Sequence, residues 1–508
     1  MRFPSREVQI GTKALGGNNP VRLQSMTNTP VADIKATIEQ AIRIFEAGAD
    51  YVRIATPDLQ SVRQLPAIKK ALYAAGFTNP LIADIHYQPE LALEAAPLVE
   101  KIRINPGNYV DRPKTGQTYW SDQEYVLDLE RLKQKLSPLI KVCKEYGTAI
   151  RIGTNLGSLS QRIIYRYGHT PEAMVQSTLE FLCIFEELSF FNTVVSLKAS
   201  NPAFMIQAYR LMAERMSEKG MSYPMHLGVT EAGSGMDGRI KSALGIGTLL
   251  KEGIGDTIRV SLTEDPEHEI PVAKAIIAYA LSMQPLQKTP SHDIDNSNDP
   301  HEPMISHAEN MMDNETTVDA TSLASTQEKK RTASSEQPER IGRKLYTTED
   351  ADSLMIMTAI DFGEKLLFKE IDDVVIEAPK IKEPGLVHHI QESLMQATGR
   401  RVTKTEFIAC PGCARTSYDI QSVLRDIQER AGNIPGLKIA VMGCVVNGPG
   451  EMADADYGLM GTAKGLLWLY KGSQVVRKNI QPEMAASELI QLLKDAGRWH
   501  PVSGDDQV

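Results

Sequence analysis

The sequence has few cysteines, no long apolar run and no excess of positive charge, and each shortage narrows what the protein can be. It carries five cysteines in 508 residues, a number that fits a reducing compartment rather than a disulfide framework. No apolar run approaches the ~20 residues that a membrane-spanning helix needs, and the N-terminus shows no apolar signal segment. We therefore expect a cytoplasmic protein.

The charge balance and the composition narrow the class further. A formal net charge of −9 argues against general affinity for nucleic acid, so basic residues that matter should be local. Hydrophobic residues make up 42% and charged residues 23% of the chain, as in soluble globular proteins. The length is sufficient for two to four domains, each with its own core.

Residues 1–283 are predicted to form a parallel (β/α)8 barrel of the TIM type. Eight short apolar strands alternate with amphipathic helical patterns, and consecutive βα units of this kind are typical of such a barrel. A doubly wound sheet is the alternative, but no Gly-rich dinucleotide fingerprint follows the first strand. The strands are VRLQS, YVRIA, LIADI, KIRIN, AIRIG, VVSLK, HLGVT and TIRVS, beginning at Val21, Tyr51, Leu81, Lys101, Ala149, Val194, His226 and Thr257.

Five of the eight predicted strands end in a cation, at the end of the barrel where the chemistry of this fold is found. A cation in an apolar strand is costly to bury unless an anion meets it, and guanidinium groups match phosphate oxygens. Each cation alone could pair with a barrel carboxylate. The set together, with only Asp84 and Glu231 as obvious acids at strand ends, favours a diphosphate-like ligand. The five cations are Arg53, Arg103, Arg151, Lys198 and Arg259.

Glu231 is the first candidate for proton transfer. It closes the seventh strand in the segment TEAGSG, where a carboxylate facing cations could pass a proton to a departing oxygen, or could simply pair with an arginine. Asp84 and His86, in ADIHY, rank second for orienting a ligand or supplying a proton, because a histidine beside a tyrosine is as often a packed structural residue.

A second set of functional residues lies in the stretch from Phe407 to Glu451. Cys410 and Cys413 flank a Pro-Gly turn, and Cys444 and Glu451 lie on a glycine-rich loop. Three cysteines arranged in this way can hold one metal or cluster. Structural zinc normally needs a fourth Cys or His, which is missing nearby, so an iron–sulfur cluster with one distinctive iron, open or held by Glu451, is favoured. A zinc knuckle and a disulfide are the alternatives.

The remaining segments differ in composition. Residues 284–343 are polar and aperiodic, which predicts a disordered linker. Residues 344–404 predict a small α/β insert, and residues 405–499 a small α/β domain that carries the cysteines. Residues 500–508 are expected to form a disordered tail. Between strands four and five, the charged run DQEYVLDLERLKQKL predicts a helix beside the barrel mouth.

The pieces ACPGCAR and GCVVNGPGE resemble the cluster-binding motifs of the 4-hydroxy-3-methylbut-2-enyl diphosphate synthase family. The segments VRIA, KIRINPGN, RIGTNLGSL, SLKAS and GVTEAG are similar to the substrate-site segments of that family. Longer members of the family, from plants and some bacteria, insert an extra domain before the cluster domain. This chain resembles the longer type, with an insert too short for a complete domain.

The resemblance implies a substrate, a cofactor and a role for each residue. The expected reaction is the two-electron reduction of 2-C-methyl-D-erythritol 2,4-cyclodiphosphate, with electrons from ferredoxin or flavodoxin. Glu231 would be a proton donor, and Asn447 would hydrogen-bond substrate or cluster. A [4Fe–4S] cluster would be held by Cys410, Cys413 and Cys444, with Glu451 on the fourth iron. The diphosphate would be held by Arg53, Arg103, Arg151, Asn155, Lys198, Arg259 and Ser261.

Two other functions and two assemblies stay open at this point. A redox-neutral hydro-lyase would use an open cluster iron without a reductase, and a zinc-stabilised binding protein would be no enzyme. Short relatives form a head-to-tail homodimer in which one chain's cluster domain meets the other's barrel. The insert of this chain could instead let one chain close on itself.

Overall fold

The computed structural model of the protein describes residues 2–30, 32–110, 120–284 and 340–499. These residues belong to one structural unit, which runs to Gln284 and resumes at Arg340. The predicted tail (500–508) and all of the predicted linker except residues 284 and 340–343 lie outside the described residues.

A short hairpin closes one end of the barrel. Strand β1 (Val8–Ile10) pairs antiparallel with β2 (Lys13–Leu15). The buried side chains of Val8, Ile10 and Leu15 pack with Tyr51 and with other residues from the first positions of barrel strands. The hairpin therefore covers the N-terminal end of the barrel and leaves its C-terminal end for a site.

All eight strands predicted from the sequence are present and parallel. Their apolar residues are buried because helices cover the outside of the barrel and side chains fill its inside. They are β3 (Arg22–Met26), β4 (Tyr51–Ala55), β5 (Leu81–Asp84), β6 (Lys101–Ile104), β7 (Ala149–Asn155), β8 (Thr193–Lys198), β9 (His226–Leu227) and β10 (Thr257–Ile258).

The order of these strands confirms the barrel. Hydrogen-bonded neighbours run β8-β7-β6-β5-β4-β3-β10-β9. A parallel bridge between Val195 and Met225 joins β8 to the residue before β9. The sheet is thus nearly closed on itself.

The helices of the barrel region begin and end at the expected signals. The charged run predicted to be helical is α5, which starts with a capping box between Ser121 and Glu124 and stops at Gly147 in the left-handed conformation. In the described residues the helices are α1 (Ile34–Glu46), α2 (Leu59–Ala74), α3 (Pro89–Ala95), α4 (Pro106–Tyr109), α5 (Asp122–Tyr146), α6 (Gln161–Tyr167), α7 (Pro171–Glu187), α8 (Pro202–Glu218), α9 (Gly235–Lys251) and α10 (Glu269–Ser282).

The insert packs on the barrel rather than standing apart from it. Its apolar residues join the core of the barrel, and a Cβ on Gly363 would lie 2.5 Å from Leu244 Cγ of α9. The first insert strand begins at Ile341, inside the last residues of the segment predicted to be a linker. The elements are β11 (Ile341–Leu345), α11 (Ala351–Leu367), β12 (Asp373–Glu377) and α12 (Leu386–Ala397).

The C-terminal region is a five-stranded sheet with helices. Three strands are parallel and the last two pair antiparallel, which places the cysteine loops after the two neighbouring strands β13 and β14. The strands are β13 (Glu406–Ala409), β14 (Lys438–Met442), β15 (Tyr457–Gly461), β16 (Leu467–Lys471) and β17 (Gln474–Ile480); the helices are α13 (Ile420–Ala431), α14 (Gly448–Met452) and α15 (Ala485–Asp495). Within the part of the chain that the structure describes, no helix is both long and apolar enough to cross a membrane.

Candidate active site

A cleft lies between the C-terminal ends of the barrel strands and the cysteine loops of the C-terminal domain. Residues in or shortly after all eight barrel strands contribute to it. Glu451 is not among the lining residues. The predicted site residues that line the cleft are Arg53, Arg103, Arg151, Asn155, Lys198, Glu231, Arg259, Ser261, Cys410, Cys413, Cys444 and Asn447.

Backbone contacts hold the C-terminal domain over the barrel of the same chain. A parallel bridge joins Ala232 to Ala409, and the Ala409 N–H donates to the Glu231 carbonyl oxygen at 3.2 Å. The Thr263 hydroxyl lies 3.1 Å from the Cys410 carbonyl oxygen, to which it donates. These contacts fix the start of the C-x-x-C turn against the loops that follow strands β9 and β10.

Asp84 is the centre of an ion-pair network in the cleft. Its carboxylate lies 3.1 Å from Arg103 Nη1, 2.8 Å from Arg415 Nη1 and 3.9 Å from Arg53 Nε. Burial would raise the pKa of Asp84, but the neighbouring guanidinium groups hold it well below its usual range. Burial, together with Arg103, lowers the pKa of His86 to about 3. Asp84 is therefore ionised and His86 neutral near pH 7, and neither can serve as an acid there.

Arg259 is paired with a carboxylate that the sequence did not single out. Its Nη2 and Nε donate to the two carboxylate oxygens of Glu269 at 3.0 and 3.1 Å. Burial alone would lower the pKa of Arg259, but Glu269 raises it above its ordinary value. This cation is compensated inside the protein.

Arg151 and Lys198 are not compensated in the same way. Arg151 Nη1 donates to Ser196 Oγ at 2.6 Å, while its buried Nε and Nη2 have no hydrogen-bond partner among the described residues. Lys198 makes no ion pair with any described carboxylate. Burial and the neighbouring cations lower the pKa of both groups well below their ordinary values. The cleft therefore lacks negative charge, which a bound anion would supply.

Glycine makes room for Lys198 in the narrow end of the cleft. A Cβ on Gly228 would lie 2.6 Å from Lys198 Nζ. Since a contact that short is repulsive, any larger residue at position 228 would displace the lysine.

Glu231 points into the cleft with a free carboxylate oxygen. It is 3% exposed, and Asn447 Nδ2 donates to its Oε1 at 3.3 Å. Its Oε2 and the Asn447 Oδ1 are buried and have no partner in the described structure. Burial raises the pKa of Glu231, and its φ of 49° is unusual for a residue with a side chain. Strained, unsatisfied groups of this kind cluster at functional sites.

Glu451 faces the barrel loop instead of the cleft. It is 2% exposed, and its Oε1 would lie 2.9 Å from a Cβ on Gly157. Burial, with the charge of Glu231, raises the pKa of Glu451 well above its usual range, although a hydrogen bond with Ser200 opposes the shift. The two buried glutamates thus favour the protonated state together.

The three cysteines of the C-terminal domain line the cleft as free thiols. The Gly412 N–H donates to Cys410 Sγ at 3.4 Å. Hydrogen bonding with Cys444 lowers the pKa of Cys413 to about 5, and burial raises that of Cys410 to about 12. No group of three or more described His, Cys, Asp or Glu side chains is arranged to hold a single metal ion. The donor set, three thiols beside an amide donor and cations, fits an iron–sulfur cluster.

Arg415 and Glu269 are the functional residues that sequence reasoning missed. Arg415 stands two residues after Cys413 in ACPGCAR, and that position next to a cluster motif is a signal that could have found it. Glu269 follows strand β10 by eleven residues at the start of α10, and no pattern in the sequence marks it.

Comparisons with known proteins agree with this arrangement. The GcpE TIM-barrel domain model matches residues 5–274, and the GcpE protein C-terminal domain model matches residues 406–495. A relative from Parabacteroides distasonis, named 4-hydroxy-3-methylbut-2-en-1-yl diphosphate synthase (flavodoxin), is 39% identical over 98% of both chains. A relative of the same name from Akkermansia muciniphila is 38% identical over 98% of this chain and 97% of that one.

The alignment with the Parabacteroides relative extends over 604 positions, whereas this chain has 508 residues. That relative therefore carries residues that this chain lacks. Both domain models and the nearly end-to-end matches lead to one conclusion: the chain belongs to the GcpE family, in which its relatives are named 4-hydroxy-3-methylbut-2-en-1-yl diphosphate synthases.

Proposed function

We propose that the protein catalyses the reductive ring opening and dehydration of 2-C-methyl-D-erythritol 2,4-cyclodiphosphate to 4-hydroxy-3-methylbut-2-enyl diphosphate. The observation that carries this proposal is the excess of buried cations in the cleft, directly opposite three cysteines. The names of the relatives support it. Per turnover the reaction takes up two electrons and two protons, breaks the carbon–oxygen bond that closes the ring, and releases one hydroxyl as water.

The barrel cations would bind the diphosphate. Arg151 and Lys198 lack a counter-charge, so a diphosphate would satisfy them without displacing an existing ion pair. Arg53, Arg103 and Arg259 would add charge around it. As the ring opens, the freed end of the diphosphate gains negative charge, and the same cations stabilise that change. Asn155 and Ser261 would hydrogen-bond the ligand from the ends of β7 and β10.

Cys410, Cys413 and Cys444 would hold a [4Fe–4S] cluster, which supplies one-electron reduction and an iron open to oxygen ligands when it is bound. Glu451 is assigned as the resting carboxylate ligand. In the structure Glu451 faces Ser200 and does not line the cleft, so it would have to turn toward the cysteines to serve as that ligand.

Glu231 is the proton donor in this proposal. Burial raises its pKa, which favours the protonated form that can donate, and its Oε2 has no partner among the described residues. Asn447 holds the other carboxylate oxygen, which orients the group toward the departing hydroxyl.

Substrate binding and electron transfer would be functions of different domains. Residues 1–283 would bind the diphosphate, residues 405–499 would hold the cluster, and residues 344–404 would brace the barrel. Because the cleft is built from two domains of one chain, one chain supplies the complete site and a homodimer is not required. Flavodoxin, which the relatives' names print, would be the electron donor, with ferredoxin as the alternative. Reduced thiols for the cluster suit the cytoplasm.

The experiment that tests the proposal is anaerobic purification with iron and sulfide analysis, followed by addition of the cyclodiphosphate to dithionite-reduced protein. Iron and sulfide near about four each per chain, with product formed, would support it. A protein that contains zinc but no sulfide would refute the mechanism. Product formation without any reductant would instead point to a redox-neutral hydro-lyase.

Glu231→Gln is expected to lower kcat by about 10²–10⁴-fold with little change in KM, because the amide keeps the shape of the side chain but has no proton to give. Steady-state kinetics with dithionite as the reductant measures both constants. Glu264→Gln is the matched control, since Glu264 pairs with Arg239 outside the cleft, and it should change kcat less than about twofold. Equal effects of the two substitutions would refute the role of Glu231.

Glu451→Ala is expected to retain a cluster with an altered visible or electron paramagnetic resonance spectrum and to reduce turnover by at least about tenfold. The reason is that the fourth iron would lose its resting ligand while the three thiolates remain. Asp454→Ala, which removes an exposed carboxylate from the same loop, should leave spectrum and turnover unchanged. Full turnover of Glu451→Ala would contradict the assignment.

A further inference from the structure

Tyr87 is an exposed aromatic residue directly beside the cysteine loop. Its side chain is 42% exposed, yet its hydroxyl lies 3.4 Å from the Val446 carbonyl oxygen, to which it donates. Burial of part of the ring raises the pKa of the Tyr87 phenol, and the nearby Cys444 sulfur raises it further. The hydroxyl of Tyr87 therefore contacts the loop that carries Cys444, while part of the side chain stays exposed to solvent.

The backbone around Tyr87 is held in a rare conformation. Its φ is 61°, and the Gln88 N–H donates to the His86 carbonyl oxygen at 2.8 Å, which makes a three-residue turn of the strained kind. The Tyr87 N–H is itself held by the Asn108 carbonyl oxygen at 3.2 Å. His86, on the other side of the turn, lines the cleft. The turn thus fixes a buried cleft residue and an exposed ring in adjacent positions.

Val445 belongs to the loop of the C-terminal domain that Tyr87 contacts, one residue before the Val446 carbonyl. It is 50% exposed and follows Cys444 directly. Tyr87 and Val445 together form what we call the Tyr87–Val445 patch. Tyrosine is enriched among the few residues that carry most of the binding energy of protein interfaces.

We propose that the Tyr87–Val445 patch is the surface on which the flavodoxin-type electron donor docks, with Cys444 as the point of electron entry. The inference rests on the proposed function, because it needs a redox cluster held by Cys444. Two reduced donor molecules would each transfer one electron through this contact. Each donor would then dissociate, oxidised by one electron. The small size of the patch suits a short-lived redox complex, since such complexes bury little surface.

The geometry favours this surface over other exposed apolar residues. Electron transfer slows steeply with distance, so the donor must approach the cysteines closely. Cys444 is only half-buried, and the residue that follows it is among the more exposed apolar residues of the C-terminal domain. Val476, also exposed at 40%, lies on β17 at the far edge of the sheet from β13 and has no such access to the cysteines.

The test compares two reductants on the cluster-loaded, full-length enzyme. Tyr87→Asn and Val445→Glu are assayed with a purified flavodoxin that supports the unchanged enzyme, and again with dithionite and methyl viologen. Asparagine is chosen at position 87 because it tolerates the left-handed backbone. We expect flavodoxin-supported turnover to fall at least about tenfold in each variant, as for the loss of a central interface residue, while dithionite-supported turnover and iron and sulfide content stay unchanged.

Val476→Glu is the matched control, and it should behave as the unchanged enzyme with both reductants. An equal loss with flavodoxin and dithionite, or no loss with either, would overturn the docking surface and leave the proposed function standing. Failure of the unchanged, cluster-loaded enzyme to form product with dithionite would refute the proposed function itself. The two failures are therefore distinguishable.

Discussion

Lys198→Met is expected to make the ligand-free protein more stable and to weaken substrate binding at least about a hundredfold. Lys198 is buried among cations without a carboxylate partner in the described residues, so the folded protein holds it at a cost. Methionine has a similar length and no charge. Replacing even a buried ion pair by apolar residues is often neutral or stabilising by about 1–4 kcal/mol, and Lys198 has no ion-pair partner among the described residues that the change would strand. The same change removes the ammonium group that would bind the substrate diphosphate. We therefore expect kcat/KM to fall because substrate binding is weaker.

The pH dependence of this gain follows from the direction of the pKa shift. The pKa of Lys198 lies well below its ordinary value of 10.5 in the folded protein. Below the ordinary value the unfolded chain binds a proton that the folded chain releases, so Lys198 destabilises the fold there. The gain in stability of Lys198→Met is therefore present at pH 7 and disappears above the ordinary pKa of lysine.

Arg259→Met is the matched control for that prediction. It also removes one cation from the cleft, but it leaves Glu269 buried without its partner, and breaking such a pair costs about 3–5 kcal/mol. Thermal or denaturant unfolding of the ligand-free proteins should therefore move in opposite directions for the two variants. Loss of stability in both would contradict the claim that Lys198 is uncompensated.

Much of the fold could be predicted because each barrel strand carries its own local signal. Segments such as YVRIA and AIRIG are short, rich in β-branched residues and bounded by polar loops, which favours a buried parallel strand. Their position in a barrel then places every strand end at one rim. The prediction that the five cations lie close together rested on this placement of the strand ends and not on any known contact. In the structure the five cations line the same cleft.

Four strands, β1, β2, β11 and β15, escaped prediction, and the last two did so because their sequences carry little strand signal. Strand β15, with the sequence YGLMG, contains two glycines, which weaken strand propensity. Strand β11, with the sequence IGRKL, is almost entirely exposed, so it lacks the alternation of apolar and polar residues. In both cases the segment forms a strand because it pairs with a neighbouring strand. The spacing of apolar residues along the chain does not indicate that pairing.

The ion pairs in the cleft could not be predicted from the sequence either. Arg415 and Asp84 are 331 residues apart, and nothing local relates them. The sequence could count cations and acids, but it could not tell that Arg259 is compensated while Arg151 and Lys198 are not. Only the contacts in the structure reveal that distinction. It identifies Arg151 and Lys198 as the cations that are left to bind an anion.

Arg415→Leu is expected to reduce turnover by about a hundredfold while iron and sulfide content stay near those of the unchanged enzyme. Arg415 belongs to the C-terminal domain, and its Nη1 and Nη2 donate to the Asp84 carboxylate and carbonyl oxygen of the barrel at 2.8 and 2.7 Å. Asp84 keeps Arg103 and Arg53 as partners, but two hydrogen bonds from a charged donor are lost at about 1.5–3 kcal/mol each. A loss of about 3 kcal/mol or more corresponds to roughly two powers of ten in an equilibrium. The contact that places the cysteines over the cations should therefore weaken, although the thiols that hold the cluster are untouched.

Lys404→Ala, at the last residue of the insert, tests whether loss of any ion pair to the barrel would have the same effect. Lys404 Nζ lies 2.8 Å from Asp237 of the barrel, but both side chains are about one-third exposed, and exposed pairs contribute only about 0–1 kcal/mol. Turnover with dithionite should fall less than about fivefold in this variant, by the same conversion. Anaerobic assays of both proteins, normalised to iron content, separate the cases. A similar small effect for Arg415→Leu would mean that the backbone contacts at Ala232 and Ala409 suffice to hold the domains, and that the Asp84 pair does not position the cluster.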